Sequence, residues 1–219
     1  MASSSKPALA LYHVARALLV GLCRVWFRLS AEGLDHVPAT GAFILSPVHR
    51  SNLDTPVAAI ATRRRLRYMG KDSLWKVRWA AWMLSALGGF PVTRGTADRE
   101  ALVRCMEVLN AGEPLVIFPE GERKAGPVVQ PLFEGAAYLA GKCQVPIVPM
   151  GIGGSERAMP KGAKLIFPRK VVVIIGKPLP PPAPAANGRV PREAVKVLTD
   201  ELHGELQRLF DLSQIKAKA

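Results

Sequence analysis

Short apolar runs that alternate with stretches of helical spacing set what this chain can fold into. Residues 43–46, 66–69, 115–118, 147–152 and 171–175 read as strands, and residues 56–62, 73–87, 97–110 and 132–142 read as helices between them. Alternation of this kind predicts a sheet covered by helices. The expected fold is therefore a single α/β domain with a mixed sheet, preceded by an N-terminal amphipathic helix. With 219 residues, 49% of them hydrophobic, one well-packed core can be filled. Residues 176–191 hold Pro178, Pro180, Pro181, Pro182, Pro184 and Pro191, so that stretch is expected to be an extended connector. Beyond it, Val195, Leu198, Leu202, Leu206 and Leu209 fall at helical spacing in 192–212, a terminal helix with a core or docking face. The basic tail Lys216-Ala217-Lys218 is expected to fray.

The first strand leads directly into Val48-His49-Arg50-Ser51-Asn52-Leu53-Asp54. Asp54-Thr55-Pro56 reads as a helix start, since Pro is tolerated in the first turn. His49 thus sits in the loop at a strand end, and a turn can fold the Asp54 carboxylate back onto the imidazole. A carboxylate there fixes the tautomer and supports the imidazolium, the arrangement of an oriented general base. This spacing arises easily by chance, so its weight depends on companions. Phe118-Pro119-Glu120-Gly121-Glu122-Arg123 again places charged groups just past an apolar run, where open α/β sheets carry their sites. Gly88-Gly89-Phe90-Pro91-Val92-Thr93-Arg94 and Val145-Pro146-Ile147-Val148-Pro149-Met150-Gly151 complete an ordered set. Taken singly, Glu120-Gly121 could be a plain turn pair and Arg94 a neutraliser of Asp98 or Glu100.

In this order the four segments resemble the glycerolipid acyltransferase family, the one that contains bacterial 1-acylglycerol-3-phosphate acyltransferases. The resemblance runs from about Gly33 to Pro178, and it implies transfer of a fatty acyl chain from acyl-CoA or acyl carrier protein to a hydroxyl of a glycerol phosphate derivative. By this resemblance His49 is the base and Asp54 its orienting partner, in a direct transfer without an acyl-enzyme. The same resemblance assigns Glu120, Gly121 and Arg123 to the acceptor pocket, Arg94 to the acceptor phosphate, and Lys71 to a secondary phosphate contact. A guanidinium suits a phosphate because its donors form a fork. The chain then divides into a membrane-interface helix (1–32), an acyltransferase α/β core (33–177), and a Pro-rich connector with a C-terminal helix packed on the core (178–219). No metal and no cofactor beyond the acyl-donor substrate is implied. Two departures stand out: Val48 where many members have Asn, and Glu122 where many have Thr. A carboxylate beside a phosphate pocket disfavours the acceptor unless Arg123 or Lys124 pairs with it.

Thirty Lys and Arg against 17 Asp and Glu give a net charge of +13, which favours polyanionic partners. The placement of charge and aromatics points to an anionic membrane surface rather than nucleic acid. On a helical wheel of residues 9–29, His13, Arg16, Arg24 and Arg28 share one face, and Leu11, Leu18, Leu22, Val25 and Leu29 the other. The uncharged stretch 17–23 is far short of the roughly 20 apolar residues that span a bilayer, so this helix is expected to lie in the interface. Its Arg residues also interrupt the apolar region that a signal peptide needs. A second anchor is expected in 73–87, where Trp75, Trp79 and Trp82 would line one helical face below a basic cluster of Arg63, Arg64, Arg65, Arg67 and Lys71. The plain alternative is a core stripe and a solvated loop.

Cys23, Cys105 and Cys143 are odd in number and lack paired spacing, which argues against a disulfide framework or zinc cluster and fits a reducing cytoplasm. The expected location is the cytoplasmic face of the cell membrane, as a peripheral or monotopic protein. His13, His36 and His203 read as structural or solvated. Neither a Gly-x-Ser-x-Gly elbow nor a phosphate-binding loop ending in Lys-Ser or Lys-Thr occurs, so hydrolase and nucleotide-triphosphatase chemistry lose their main support. Three functions remain. The first makes phosphatidate from lysophosphatidate; the second applies the same chemistry to glycerol 3-phosphate, a lyso-ornithine lipid or a glycolipid; the third is a non-catalytic basic protein that binds membrane or nucleic acid.

Overall fold

The structure, a computed structural model, describes residues 5–92, 99–160, 162–163 and 165–218. Its strands are β1 (Ser30–Glu32), β2 (Ile44–Pro47), β3 (Arg67–Lys71), β4 (Gly89–Val92), β5 (Leu115–Val116), β6 (Ile147–Gly153) and β7 (Val172–Ile175). They form one seven-stranded sheet in the order β1-β7-β6-β2-β5-β3-β4. Neighbours run parallel except for the β6–β7 pair, so the sheet is mixed. β2, β6 and β7 are buried at every position, which is why they appear in the sequence as unbroken apolar runs. The helices are α1 (Lys6–Trp26), α2 (Asp54–Ala58), α3 (Arg78–Ala86), α4 (Arg99–Asn110), α5 (Gly135–Cys143), α6 (Ser155–Ala158) and α7 (Arg192–Lys218).

The longest helix, α7, lies along β6 and β7. Gly151 and Gly153 make the close approach possible: a Cβ on Gly151 would stand 2.4 Å from the Leu209 carbonyl, and one on Gly153 would stand 2.2 Å from the Ser213 oxygen. Two helical turns of α7 therefore rest on strand backbone. The helix continues through the segment expected to fray, because Ala217 is buried and Lys216 Nζ reaches the Glu32 carboxylate at 2.7 Å.

Two strands were not expected. β4 carries Gly89 and Pro91, and a proline is compatible with a strand at the sheet edge, where β4 lies. β1 is three residues at the opposite edge with a polar sequence, so no apolar run announces it.

Packing also corrects the surface expected for the first helix. α1 docks through Ala8, Tyr12, Val20 and Cys23, and Arg16 Nε donates to the Ala59 and Thr62 carbonyls at 2.9 and 2.7 Å. The Tyr12 hydroxyl donates to the Arg64 carbonyl and accepts from the Leu66 amide. Arg16 is thus turned toward the domain, while Leu18 and Val25 point outward at 70% and 80% exposure. Leu29 lies beyond the helix and enters the core. By length and composition α1 could cross a membrane, yet its inner face is held along the protein.

The three tryptophans do not form one stripe. Trp75 belongs to a 3-10 turn, Asp72–Trp75, and Val77 in extended conformation separates it from α3. Its ring is half-buried and donates Nε1–H to Ser85 Oγ at 3.0 Å, whereas Trp79 and Trp82 are exposed on α3. The basic cluster is likewise divided. Arg65 and Arg67 are buried and both pair with Glu113 at 3.0 Å, and Arg64 donates to the Gly112 and Pro38 carbonyls. Of the four arginines only Arg63 is a freely solvated charge.

Gly151→Val should cost at least ~2 kcal/mol in denaturant unfolding, because the side chain would collide with the backbone of α7. Gly204→Ala, where a Cβ meets nothing within 4 Å, should instead stabilise α7 by about 0.5–1 kcal/mol.

Candidate active site

Strand register brings the chemistry-bearing segments to one edge. Leu45 of β2 is level with Val116 of β5, which is level with Tyr68 of β3, which is level with Gly89 of β4. Counting forward, the chain leaves these four parallel strands together near Val48, Pro119, Lys71 and Val92. The β2 ladder is extended by the Val48 amide, which donates to the Met150 carbonyl. At His49 the chain leaves the sheet.

The loop from His49 to Asp54 closes around a single carboxylate oxygen. Asp54 Oδ2 accepts the amides of Arg50 and Ser51 at 2.5 and 2.6 Å and lies 3.1 Å from His49 Nδ1. Because Oδ2 accepts, Nδ1 carries the proton and Nε2 keeps its lone pair. Nε2 has no partner among the described residues. The imidazole stacks on Phe118, with ring centroids 4.0 Å apart, and its side chain is 16% exposed while Asp54 is fully buried. The result is an imidazole oriented through Nδ1 and partly open to solvent.

A second carboxylate holds the backbone of the same residue. Glu120 Oε2 accepts the His49 amide at 3.0 Å, Arg50 Nη1 donates to both Glu120 oxygens at 2.8 Å, and the Gln130 amide donates to Oε1 at 3.1 Å. The His49 carbonyl in turn accepts from the Lys124 amide at 2.9 Å. Arg50 Nη2 donates to the Val128 carbonyl, and its guanidinium lies over the Phe210 ring of α7. Ser51 Oγ donates to the Met159 carbonyl, fastening the loop to the end of α6. α7 also holds the loop after β5 directly: Gln207 accepts the Val129 amide, and His203 Nε2 lies 2.9 Å from the Val129 carbonyl.

The residues singled out in the sequence fall into distinct places. His49 and Asp54 meet as expected. Glu120 is 1% exposed and engaged with Arg50, so its carboxylate positions the His49 backbone rather than lining an open acceptor surface. Gly121 turns the chain at φ 72°, and a Cβ there would come within 2.6 Å of the Phe133 ring. Arg123 is half-buried and Lys71 is exposed at the end of β3, both without a partner among the described residues. Arg94 lies outside the described residues. Glu122 pairs with Lys124 at 2.7 Å. Burial pushes the Cys105 thiol up to about 12 and also raises Cys23 and Cys143, which removes the cysteines as nucleophiles near neutral pH. Arg50, Ser51 and Phe118 had no assigned role from sequence. The available signal for Arg50 was a cation adjoining one apolar run, with Glu120, there assigned to the acceptor pocket, following another.

A family model described as Acyltransferase matches residues 28–153, more than half of the chain. The chain belongs to the Acyltransferase family. Among its relatives is the chloroplastic 1-acyl-sn-glycerol-3-phosphate acyltransferase LPAT1 of Arabidopsis thaliana. It is 30% identical over 159 residues, covering 70% of this chain and 44% of that protein. A 1-acyl-sn-glycerol-3-phosphate acyltransferase of Helicobacter pylori is 30% identical over 135 residues, covering 58% and 56% respectively. The chain thus spans about half the length of these family relatives. The fold is that of the crystal structure of the 1-acyl-sn-glycerophosphate acyltransferase PlsC of Thermotoga maritima. The TM-score is 0.76 at 24% identity, over 94% of this chain and 80% of that one. The matched residues contain the His49–Asp54 and Glu120–Arg123 segments of the acyltransferase core.

Arg50→Met should destabilise the protein by about 3–5 kcal/mol in urea unfolding, since it strands the Glu120 carboxylate in the interior. Removing both charges with Arg50→Met and Glu120→Leu should recover part of that loss; a single variant within about 1 kcal/mol of wild type would refute a structural role for the pair.

Proposed function

We propose that this chain is a 1-acylglycerol-3-phosphate O-acyltransferase, moving a fatty acyl group from acyl-CoA or acyl carrier protein to the free hydroxyl of lysophosphatidate to give phosphatidate. The observation that carries the proposal is the orientation of His49: Nδ1 is held by the buried Asp54 carboxylate and Nε2 has no partner among the described residues. Nε2 takes the acceptor's hydroxyl proton as that oxygen attacks the thioester carbonyl carbon. The Asp54 carboxylate stabilises the imidazolium, the carbon–sulfur bond breaks, and the imidazolium returns its proton to the departing thiolate. No side-chain nucleophile and no cofactor takes part. Phosphatidate synthesis is supported by the activity for which the relatives are named, and Arg123, Lys71 and Arg94 supply cations for the acceptor phosphate. Pairing of Glu122 with Lys124 leaves Arg123 for that contact.

The protein would work at the cytoplasmic face of the cell membrane, as a peripheral or monotopic enzyme. α1 packs beside α3, and the two present Leu18, Leu22, Val25, Trp26, Trp79 and Trp82 to solvent. Arg24, Arg28, Lys76 and Arg78 are exposed on or next to the same helices, where they would meet anionic headgroups.

Purified protein should release free thiol from palmitoyl-CoA in the presence of lysophosphatidate, and His49→Ala should lower that rate by about 10²-fold or more with the fold intact. Release with glycerol 3-phosphate alone would move the acceptor assignment. An unchanged rate in His49→Ala would leave a basic binding protein as the function. Leu18→Glu with Leu22→Glu should leave the domain soluble and weaken cosedimentation with anionic liposomes; undiminished binding would overturn the anchoring role of α1.

A further inference from the structure

A cavity of about 460 Å³ opens between the 3-10 turn Asp72–Trp75, β4 and α4. It runs along the sheet edge: Arg67 in its wall is level with Leu115 at the amino ends of β3 and β5, and Pro91 is level with Gly70, one residue before Lys71. Its walls include Arg67, Trp75, Phe90, Pro91, Arg104 and Glu107.

Arg67 is the unusual member. It is 3% exposed, its Nε lies 3.0 Å from Glu113 Oε2, and its Nη1 has no hydrogen-bond partner among the described residues. A buried guanidinium donor without an acceptor is costly, and here the one carboxylate within reach is shared with Arg65. Among the charged residues that line the cavity, Arg67 and Arg104 are cations and Glu107 is an anion, and the Glu113 partner of Arg67 is shared with Arg65. Burial depresses the Arg67 pKa, Glu113 opposes that shift, and the Arg65 charge adds to it to a smaller extent.

The opposite wall is rigid and apolar. The Trp75 indole is tied to Ser85 and slotted against two glycines: a Cβ on Gly70 would meet it at 2.7 Å and one on Gly89 at 3.1 Å. Phe90 and Pro91 continue that wall, and Arg104 Nη1 is fixed to the Pro91 carbonyl. A fixed cation opposite a fixed aromatic face selects a particular kind of ligand.

We propose that this cavity is a second binding site, for a small oxyanion, a carboxylate or a phosphate, whose charge meets Arg67 and Arg104 while its remainder lies against Trp75. The site is independent of the acyl-transfer reaction proposed for His49. Occupancy would brace β3 against β4, the strands that carry Lys71 and lead toward Arg94.

The full chain labelled with 5-fluorotryptophan tests this, with Trp75 assigned among the four tryptophans by Trp75→Phe. Inorganic phosphate and hexanoate are titrated separately at constant ionic strength while the fluorine spectrum is recorded. A saturable shift of the Trp75 resonance with either anion, weakened about tenfold or more in Arg104→Gln and abolished in Arg67→Met, supports the site and identifies the anion. Unchanged resonances of Trp26, Trp79 and Trp82 verify the fold of each variant. No Trp75 shift with either anion overturns the proposal. A shift that survives both arginine variants, or one that disappears in Arg123→Ala, overturns it as well.

Discussion

A carboxylate taken out of water must be given donors, and the donors supplied to Glu120 determine where His49 stands. The Glu120 side chain and the guanidinium of Arg50 are both essentially removed from solvent, a transfer that costs several kcal/mol per ion before their attraction offsets it. The arrangement survives because most of the remaining hydrogen-bonding capacity is used on backbone, the amides of His49 and Gln130 and the carbonyls of His49 and Val128, with Arg50 Nε alone in the pair left without a partner among the described residues. One ion pair thereby joins the ends of two adjacent strands. Asp54 performs the parallel task on the other side of the loop, so the imidazole is fixed by its ring and its main chain independently. An imidazole held in this way has little freedom left to reorient.

Much of this was legible in the sequence because interior parallel strands are apolar on both faces. β2, β5, β6 and β7 each coincide with a largely apolar run, and the His49–Asp54 contact is local enough to be inferred from a strand followed by a helix start. Long-range pairing was not legible. Arg50 and Glu120 are 70 positions apart, and the Glu113 partner that draws Arg65 and Arg67 inside is 48 positions from Arg65, so a run of arginines looked like a solvated patch. For the first helix, the wheel separated polar from apolar faces correctly but could not say which face docks. Arg16 finds carbonyls at the end of α2 and the turn after it, and the leucines are left outside. The tryptophan stripe failed for a local reason: Val77 takes an extended conformation between Trp75 and α3, and this one residue sends the rings to different environments.

The two apolar features of the surface therefore have different origins. Trp75 is a structural wedge between β3, β4 and α3, held by glycines that leave it room. Trp79 and Trp82, with the outer face of α1, are hydrophobic area that the fold leaves uncovered although it has polar side chains available to place there.

The seam between β6 and α7 has a consequence for how the protein comes into being. The ring beneath Arg50 and the side chains that tie down 127–129 all belong to α7, which follows His49 by more than 140 positions. During synthesis the sheet can assemble as its strands emerge, but the histidine loop has no completed support until Arg192–Lys218 has been translated and laid over Gly151 and Gly153. The placement of the histidine loop is thus tied to the far end of the given sequence, and a nascent or prematurely terminated product would carry His49 and Asp54 without the platform that holds them.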